Sequence, residues 1–456
     1  MSHPTDAGDA TAPNNQPEPP KFDGSQPHQA TPKLRPVRGF PVQIGEQMAL
    51  GLADARQISD RVVYTVPAAQ LILPLMNGER GVEQIVAEVG RGLTSAMVEG
   101  LIAQLDGAGL LFGPKFEAMK AKMREDFDAS EILPPASTAA MADALAQHAL
   151  GESATEEQKR EEGPKRLRAA FDEWIAKALE KAPNPSFDVL PKAIVAPHID
   201  YARGWLNYAS IWGRMRVVDR PERVIILGTN HFGEGTGVVG CNKGYETPLG
   251  ICKVDKDLVK IMQDRLGDAL FAHRYDHERE HSIELQIPWI QHILGADDKG
   301  EFCKVFGVLV HDPAVNNGDS YDGNGVALQP FVSALKEAIA TLPGKTLLVS
   351  SADLSHVGPA FGDQQPLAGE EEAPTNFRNS IFKHDREMID LVLQRKPDEL
   401  VAAMAWQQNP TRWCSTGNLV ATLKTVEPET VAILNYAAAL DQQGLGMVSS
   451  AAIVIN

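Results

Sequence analysis

Three apolar runs decide how this chain is read: Ala193-Ile194-Val195-Ala196-Pro197-His198, Val224-Ile225-Ile226-Leu227-Gly228-Thr229-Asn230-His231, and Leu347-Leu348-Val349-Ser350-Ser351-Ala352-Asp353-Leu354-Ser355-His356. Short continuous apolar stretches of this kind read as strands buried on both faces, and each here ends at a polar loop that carries a histidine. In an open α/β sheet, ligands bind in the crevice past the carboxyl ends of the strands. The three histidines are therefore expected at one rim.

Working outward, strand and helix patterns alternate from about Ser186 to the last residue, which predicts one α/β domain over 186–456. Upstream, 116–185 is charged and Ala-rich, with helical spacing at Leu167, Phe171, Trp174 and Leu179 and breaks at Pro134-Pro135 and Gly163-Pro164. It reads as a helical linker. Over 40–115 two β-like runs (Met48 to Leu52, Arg61 to Val66) precede two helical patterns. Val82, Ile85, Val86 and Val89 share one helix face, and Met97, Leu101 and Leu105 share another. Asn77-Gly78 and Gly107-Ala108-Gly109 punctuate them. The order strand, Asn77-Gly78-Glu79-Arg80, helix, helix, Gly109-Leu110-Leu111 resembles the PqqD-like winged-helix domains that recognise peptides beside radical enzymes. Residues 1–38, rich in Pro, Gln, Asn, Asp and Thr, cannot bury enough apolar surface to offset ordering and are expected to be a disordered tail.

The net charge of -17 argues against a nucleic-acid footprint, which needs clustered Lys and Arg. Four cysteines (Cys241, Cys252, Cys303, Cys414) form no CxxC pair, so neither a disulfide framework nor a zinc knuckle is suggested, and a reducing compartment fits. No signal-peptide pattern and no run of ~18 apolar residues occurs, so a cytoplasmic protein without membrane attachment is expected.

Five short segments can carry chemistry. In Ala196-Pro197-His198-Ile199-Asp200-Tyr201, Pro197 ends the strand and fixes φ just before His198. In Gly228-Thr229-Asn230-His231-Phe232-Gly233, flanking glycines permit a tight turn that exposes His231. Taken alone, each histidine is more often an ordinary loop residue than a functional one. In Glu278-Arg279-Glu280-His281-Ser282-Ile283-Glu284-Leu285-Gln286-Ile287-Pro288-Trp289, a helix would place His281 and Glu284 on one face, where a carboxylate can orient an imidazole or a ligand. Pro288 is awkward mid-helix and could start a second helix instead. The plainer reading is an acidic helix start, with Glu278 and Glu280 complementing the macrodipole. Asp353 and His356 suit general acid/base work, or else Asp353 only caps a turn beside a solvated His356. Cys414 precedes an amphipathic helix containing Leu419, Leu423 and Val426. Its thiolate is favoured there as a soft metal ligand, unless it is simply a small buried hydrophobe.

Jointly, and in this order, these blocks resemble the Memo family, including its bacterial members described as protein B of the AmmeMemoRadiSam system. The resemblance spans about residues 190 to 456. It implies a fold similar to the class III extradiol dioxygenases, with His198, His231 and Cys414 as metal ligands and His356 as the acid/base histidine. Asp353 would support that site, and His281 and Glu284 would line the same pocket. In the dioxygenases a carboxylate stands where Cys414 would lie, giving an Fe(II) site with open positions. The implied cofactor is a divalent metal ion, iron first, with a thiolate also suiting copper or zinc. The chain departs from the family at Ile199-Asp200, where Ala-Gly is usual, at Phe232, where a second histidine is frequent, and at Ala352, an added residue before Asp353. Asp200 brings an extra carboxylate to the pocket, to bind the metal, hydrogen-bond His198 or do neither.

Two functions follow. One is a metal-dependent, dioxygenase-like oxidoreductase acting on a small molecule. The other is a non-catalytic protein that holds a metal or peptide and partners a radical enzyme system through its N-terminal module.

Overall fold

The computed structural model describes residues 20–456, which form two compact units that divide between Asp126 and Phe127. In the first, α1 (Pro27–Ala30) leads into an antiparallel sheet of β1 (Val37–Ile44), β2 (Gln47–Asp54) and β3 (Val63–Thr65), followed by α2 (Val82–Val89), α3 (Ser95–Gly107) and α4 (Pro114–Ala129), within which the division falls. Leu50, Leu52 and Val63 of the sheet pack against Ile85, Leu101, Ile102 and Leu105. Met97, expected on the buried face, is 55% exposed, and its neighbour Val98 is buried instead.

The expectation of disorder over 1–38 is corrected for its second half. Leu34 N donates to Met76 O at 2.8 Å and Arg35 N to Leu110 O at 2.9 Å. The buried Arg35 guanidinium meets Asp54 in two contacts of 3.0 and 3.1 Å and Gly109 O at 2.7 Å. A bidentate, fully desolvated pair of this kind orders a segment that has few apolar side chains, which composition alone does not register. The first part of the expected tail, 1–19, lies outside the described residues.

The second unit runs through β4 (Ile132–Leu133), α5 (Ser137–Leu150), α6 (Glu156–Leu179), β5 (Ala193–Ala196), α7 (Tyr201–Trp212), β6 (Arg223–Thr229), β7 (Val239–Gly240), β8 (Gly244–Thr247) and β9 (Gly250–Cys252). It continues with α8 (Lys256–Leu266), α9 (His281–Glu284), α10 (Ile287–Ile293), β10 (Lys304–Val310), α11 (Leu328–Thr341), β11 (Thr346–Ser351), β12 (Asp353–Val357), α12 (Glu372–Leu393), α13 (Pro397–Gln407), α14 (Thr416–Val426), β13 (Val431–Leu440) and β14 (Met447–Ile455). The main sheet has the order β12-β14-β5-β11-β6-β10-β7, with β13 on the free side of β14. Strands β5, β11, β6 and β10 are parallel; β14 pairs antiparallel with β5, and β7 antiparallel with β10.

Side chains alternate between the two faces of this sheet. Ile225 and Leu227 of β6 join Leu258, Phe331, Leu335 and Leu419 on one face, while Val224 and Ile226 join Phe171, Tyr208, Trp212 and Trp289 on the other. Each such fully buried side chain contributes about 1.5–3 kcal/mol, which is why strands covered on both faces read as unbroken apolar runs.

Residues 116–185 are therefore more than the expected linker, and the boundary expected at 186 is corrected to 127. Leu167, Phe171 and Ile175 of α6 are core residues, and Phe171 stacks on Trp289 with centroids 3.9 Å apart. The break expected at Gly163-Pro164 does not occur, because α6 continues through Pro164. A Cβ on Gly163 would sit 3.1 Å from Ala142 Cβ, so close packing on α5 holds the helix where propensity alone would interrupt it.

Candidate metal centre

Because β11 lies between β5 and β6, the residues just past β5 and β6 flank the carboxyl end of β11. That places His198 and His231 on either side of Ser351, with ring centroids 5.1 Å apart. His198 Nδ1 lies 3.0 Å from Ser351 O. A carbonyl only accepts, so Nδ1 carries the proton and the Nε2 lone pair is free. That Nε2 is 3.3 Å from Cys414 Sγ. Burial pushes the His198 pKa well below its ordinary value, leaving the ring neutral and able to ligate.

His231 is oriented by a carboxylate. Glu280, fully buried, receives His231 Nδ1 at 3.0 Å and His231 N at 2.9 Å, and also Ser282 N at 2.8 Å. Burial alone would lower the His231 pKa, but the Glu280 charge, with Cys414, raises it well above the usual value. Burial likewise opposes ionisation of Glu280, yet His231 and the backbone donors hold its carboxyl well below the ordinary range. With Nδ1 committed to Glu280, Nε2 of His231 is the nitrogen left for a ligand.

Two glycines permit this convergence. A Cβ on Gly228 would stand 2.4 Å from Ser282 Oγ, so glycine lets α9 press against the end of β6; a Cβ on Gly417 would stand 2.2 Å from His311 O, so glycine seats the start of α14. Cys414, just before α14, is half-buried and 3.1 Å from Ser415 Oγ. The other three cysteines are buried, and desolvation pushes the thiols of Cys241 and Cys303 up to about 11, and that of Cys252 higher still. Of the four, Cys414 alone belongs, among the described residues, to a group of side chains that could hold a metal ion.

The ligand atoms of His198, His231 and Cys414 all lie within 4.8 Å of one another. Bonds of about 2.0–2.3 Å to one tetrahedral ion would set such atoms roughly 3.3–3.8 Å apart, so the group needs little closure to hold one. The donor chemistry fits too: both imidazoles present Nε2 with Nδ1 already engaged, the outer arrangement that orients histidines at metals.

Comparison with known proteins identifies the family of this chain. A family model described as Memo-like protein matches residues 158–454, well over half of the chain. The chain belongs to the Memo-like family. A MEMO1 family protein of Thermotoga maritima is 29% identical over 271 residues, covering 58% of this chain and 82% of that relative. Another from Desulfurococcus amylolyticus is 30% identical over 202 residues (43% of this chain, 65% of the relative), and one from Thermotoga petrophila is 26% identical over 294 (63% and 90%). The match begins within α6, in keeping with the place of that helix in the core.

The remaining predicted residues of this Memo-like chain divide. Asp353 is buried beside His198: Oδ1 accepts His198 N at 3.0 Å and Oδ2 lies 3.7 Å from His198 Nε2. Burial pushes its carboxyl up to about 7 against the lowering effect of those backbone donors. It begins β12, which pairs with β14, so the expected loop is strand from Asp353 onward. On that strand His356 donates Nδ1–H to Leu354 O at 3.0 Å, and burial pushes its pKa down to about 4, with the charge of His231 acting in the same direction. Its Nε2 is thus an unprotonated acceptor at neutral pH. His281 stacks on His231 with centroids 4.8 Å apart and lies 3.3 Å from Glu280.

Glu284 and Asp200, expected to line the pocket, are both engaged at helix starts. The carboxylate of Glu284 accepts from the N–H groups of Ala136, Ser137 and Thr138 and from Thr138 Oγ1, capping α5. Asp200 takes the third of its expected courses: it caps α7 through Arg203 N and pairs with the Arg203 guanidinium. The reason is local, since the helix predicted through His281 breaks into α9 and α10 at Gln286, with Pro288 near the start of the second. The carboxylate that orients an imidazole is Glu280, read from the sequence only as a helix-start charge. Asn418 was also missed: its amide donates to Ser351 O at 2.7 Å and to Thr229 Oγ1 at 3.1 Å. The Glu280-His281 dipeptide, so close to a ligand-bearing strand in the fold, was the one signal available for the first; nothing marked the second.

Proposed function

We infer that the second unit binds one divalent metal ion through His198, His231 and Cys414 and works as a metal-dependent oxidoreductase in which His356 moves a proton. The observation that carries this reading is the convergence of two Nε2 atoms and one accessible thiol whose outer contacts already fix their direction. Two imidazoles and a thiolate suit iron, copper and zinc, and a bound ion would supply Lewis acidity or redox capacity at its open positions. The protein supplies the rest. Ser351 and Glu280 hold the two rings, and Asp353 ties the chain at His198 to β12. His356, neutral and with its Nδ1 proton given to Leu354 O, offers Nε2 as a base. The reaction class rests on the resemblance to the class III extradiol dioxygenases, an analogy of fold.

The test is anaerobic loading with Fe(II), Cu(II) or Zn(II), followed by metal analysis and oxygen uptake with catechol-type substrates. Stoichiometric metal in the wild type, lost in the His198→Ala/Cys414→Ala double variant and kept in His356→Ala, supports the assignment of ligands and base. Undiminished metal in the double variant would sink the ligand set. Metal binding without oxygen uptake favours the second reading, a non-catalytic partner of a radical enzyme system that holds a metal or peptide. One feature supports that reading: the first unit is compact by itself, and its sheet ends at β3, an edge to which a peptide strand could add, as its resemblance to PqqD-like winged-helix domains implies.

A further inference from the structure

Asp385, on α12, is fully buried and is used by none of the chemistry above. One carboxylate oxygen accepts from Ser355 Oγ at 2.5 Å and Trp413 Nε1 at 2.7 Å. The other accepts from Tyr436 OH at 2.6 Å and Ser449 Oγ at 2.5 Å. Desolvating a carboxylate among neutral donors is expensive, and apolar side chains of similar volume could fill the same space. The use of such a group lies in what it holds together.

Two of its four donors are chain neighbours of the candidate site. Ser355 precedes His356 on β12, so tying down its side chain also holds the stretch of backbone that carries His356. Trp413 precedes Cys414 and is pinned a second time by Asn409, which accepts from Trp413 N at 2.7 Å and donates to Trp413 O at 2.8 Å. The two segments are also zipped directly: His356 N donates to Thr411 O and Arg412 Nε to His356 O, both at 2.8 Å. The shared oxygen of Asp385 closes this cross-link from inside the core.

We propose that Asp385 is a positioning residue for the metal centre, its oxygen shared by Ser355 and Trp413 setting the relative placement of His356 and Cys414. This rests on the reading of Cys414 as a ligand, but the placement it describes belongs to the metal-free protein as well. The decisive contrast is Trp413→Phe against Tyr436→Phe, each of which removes one donor from the same carboxylate on opposite oxygens. Two readouts follow Cys414: its alkylation rate by iodoacetamide in metal-free protein, located by peptide mass, and the thiolate-to-metal charge-transfer band after loading with Co(II). Trp413→Phe is expected to change the alkylation rate about tenfold and to shift the band, whereas Tyr436→Phe stays within about twofold, the scale of one charge-assisted hydrogen bond felt or not felt at the thiol. Asp385→Ala should reproduce the Trp413→Phe change and Asp385→Asn should stay close to the wild type, because asparagine keeps an acceptor for Trp413 while its amide donates toward Tyr436 and Ser449. The buried Cys241, Cys252 and Cys303 report unfolding; if they become reactive in Trp413→Phe, Ser355→Ala removes the sister donor on the same oxygen and is read in its place. Equal effects on the two sides of the carboxylate, or none on either, would overturn the proposal. Failure of the wild type to take up Co(II) would instead count against the metal reading, and the alkylation contrast would still decide the role of Asp385.

Discussion

Replacing Glu280 with glutamine tests the outer arrangement of the centre most directly. The buried carboxylate receives His231 Nδ1, His231 N and Ser282 N, and lies against His281. Glutamine preserves the shape but turns one oxygen into a donor, so at least one of those N–H groups faces another donor. Loss of one charge-assisted hydrogen bond, about 1.5–3 kcal/mol, predicts roughly 10–100-fold weaker metal binding, since ~1.4 kcal/mol is a factor of ten. The pH dependence adds a sign. The wild-type His231 pKa is raised well above its ordinary value, so the metal must displace a proton there, and affinity falls as pH drops through that raised pKa. In Glu280→Gln the raising charge is gone and proton competition moves to lower pH. The loss of affinity is therefore largest at high pH and shrinks toward neutrality. Chelator-competition titrations with Zn(II) between pH 6 and pH 10 measure both effects. Equal affinity in the two proteins, or a uniform loss with an unchanged pH profile, would refute the reasoning.

Further outcomes follow from contacts described above. Glu284→Ala should lower stability by about 2–4 kcal/mol in urea unfolding and leave metal content unchanged, because it frees a helix N-terminus and touches no ligand. Gly417→Ala forces a Cβ to within 2.2 Å of His311 O, so it should destabilise by roughly 1–3 kcal/mol and weaken metal binding by displacing the start of α14. His277, buried between Tyr245 OH and Val239 O, has a pKa pushed down to about 4 by burial. Its contribution, up to ~3 kcal/mol, is complete above pH ~6.5 and lost as pH falls toward 4; urea midpoints should drop across that window, and less steeply in His277→Gln.

The parts of the architecture legible in sequence were those set by burial on both faces. The runs ending at His198, His231 and Ser351 could only be inner strands, and their parallel pairing brought the two candidate ligand histidines to one rim. Cys414 was legible because a thiol before an amphipathic helix has distinctive chemistry. Glu280 was hidden because linear spacing favours partners three or four residues apart on a helix, whereas its partner His231 comes from the loop after β6, distant in sequence. Arg35 misled for the opposite reason: the segment is held by one desolvated ion pair and two backbone bridges, for which apolar content is no guide. Pro164 shows tertiary packing overriding local propensity.

The pairing of β14 with β5 also has a kinetic meaning. Ile453, Val454 and Ile455 register against Val195, Ile194 and Ala193, the strand that delivers the first candidate ligand. Every α/β crossover between them must be traversed before that edge of β5 is satisfied, and contacts so distant along the chain close late. The segment around His198 is accordingly expected to be among the last parts of the protein to order, so that a cation offered during refolding meets scattered side chains before it meets a centre.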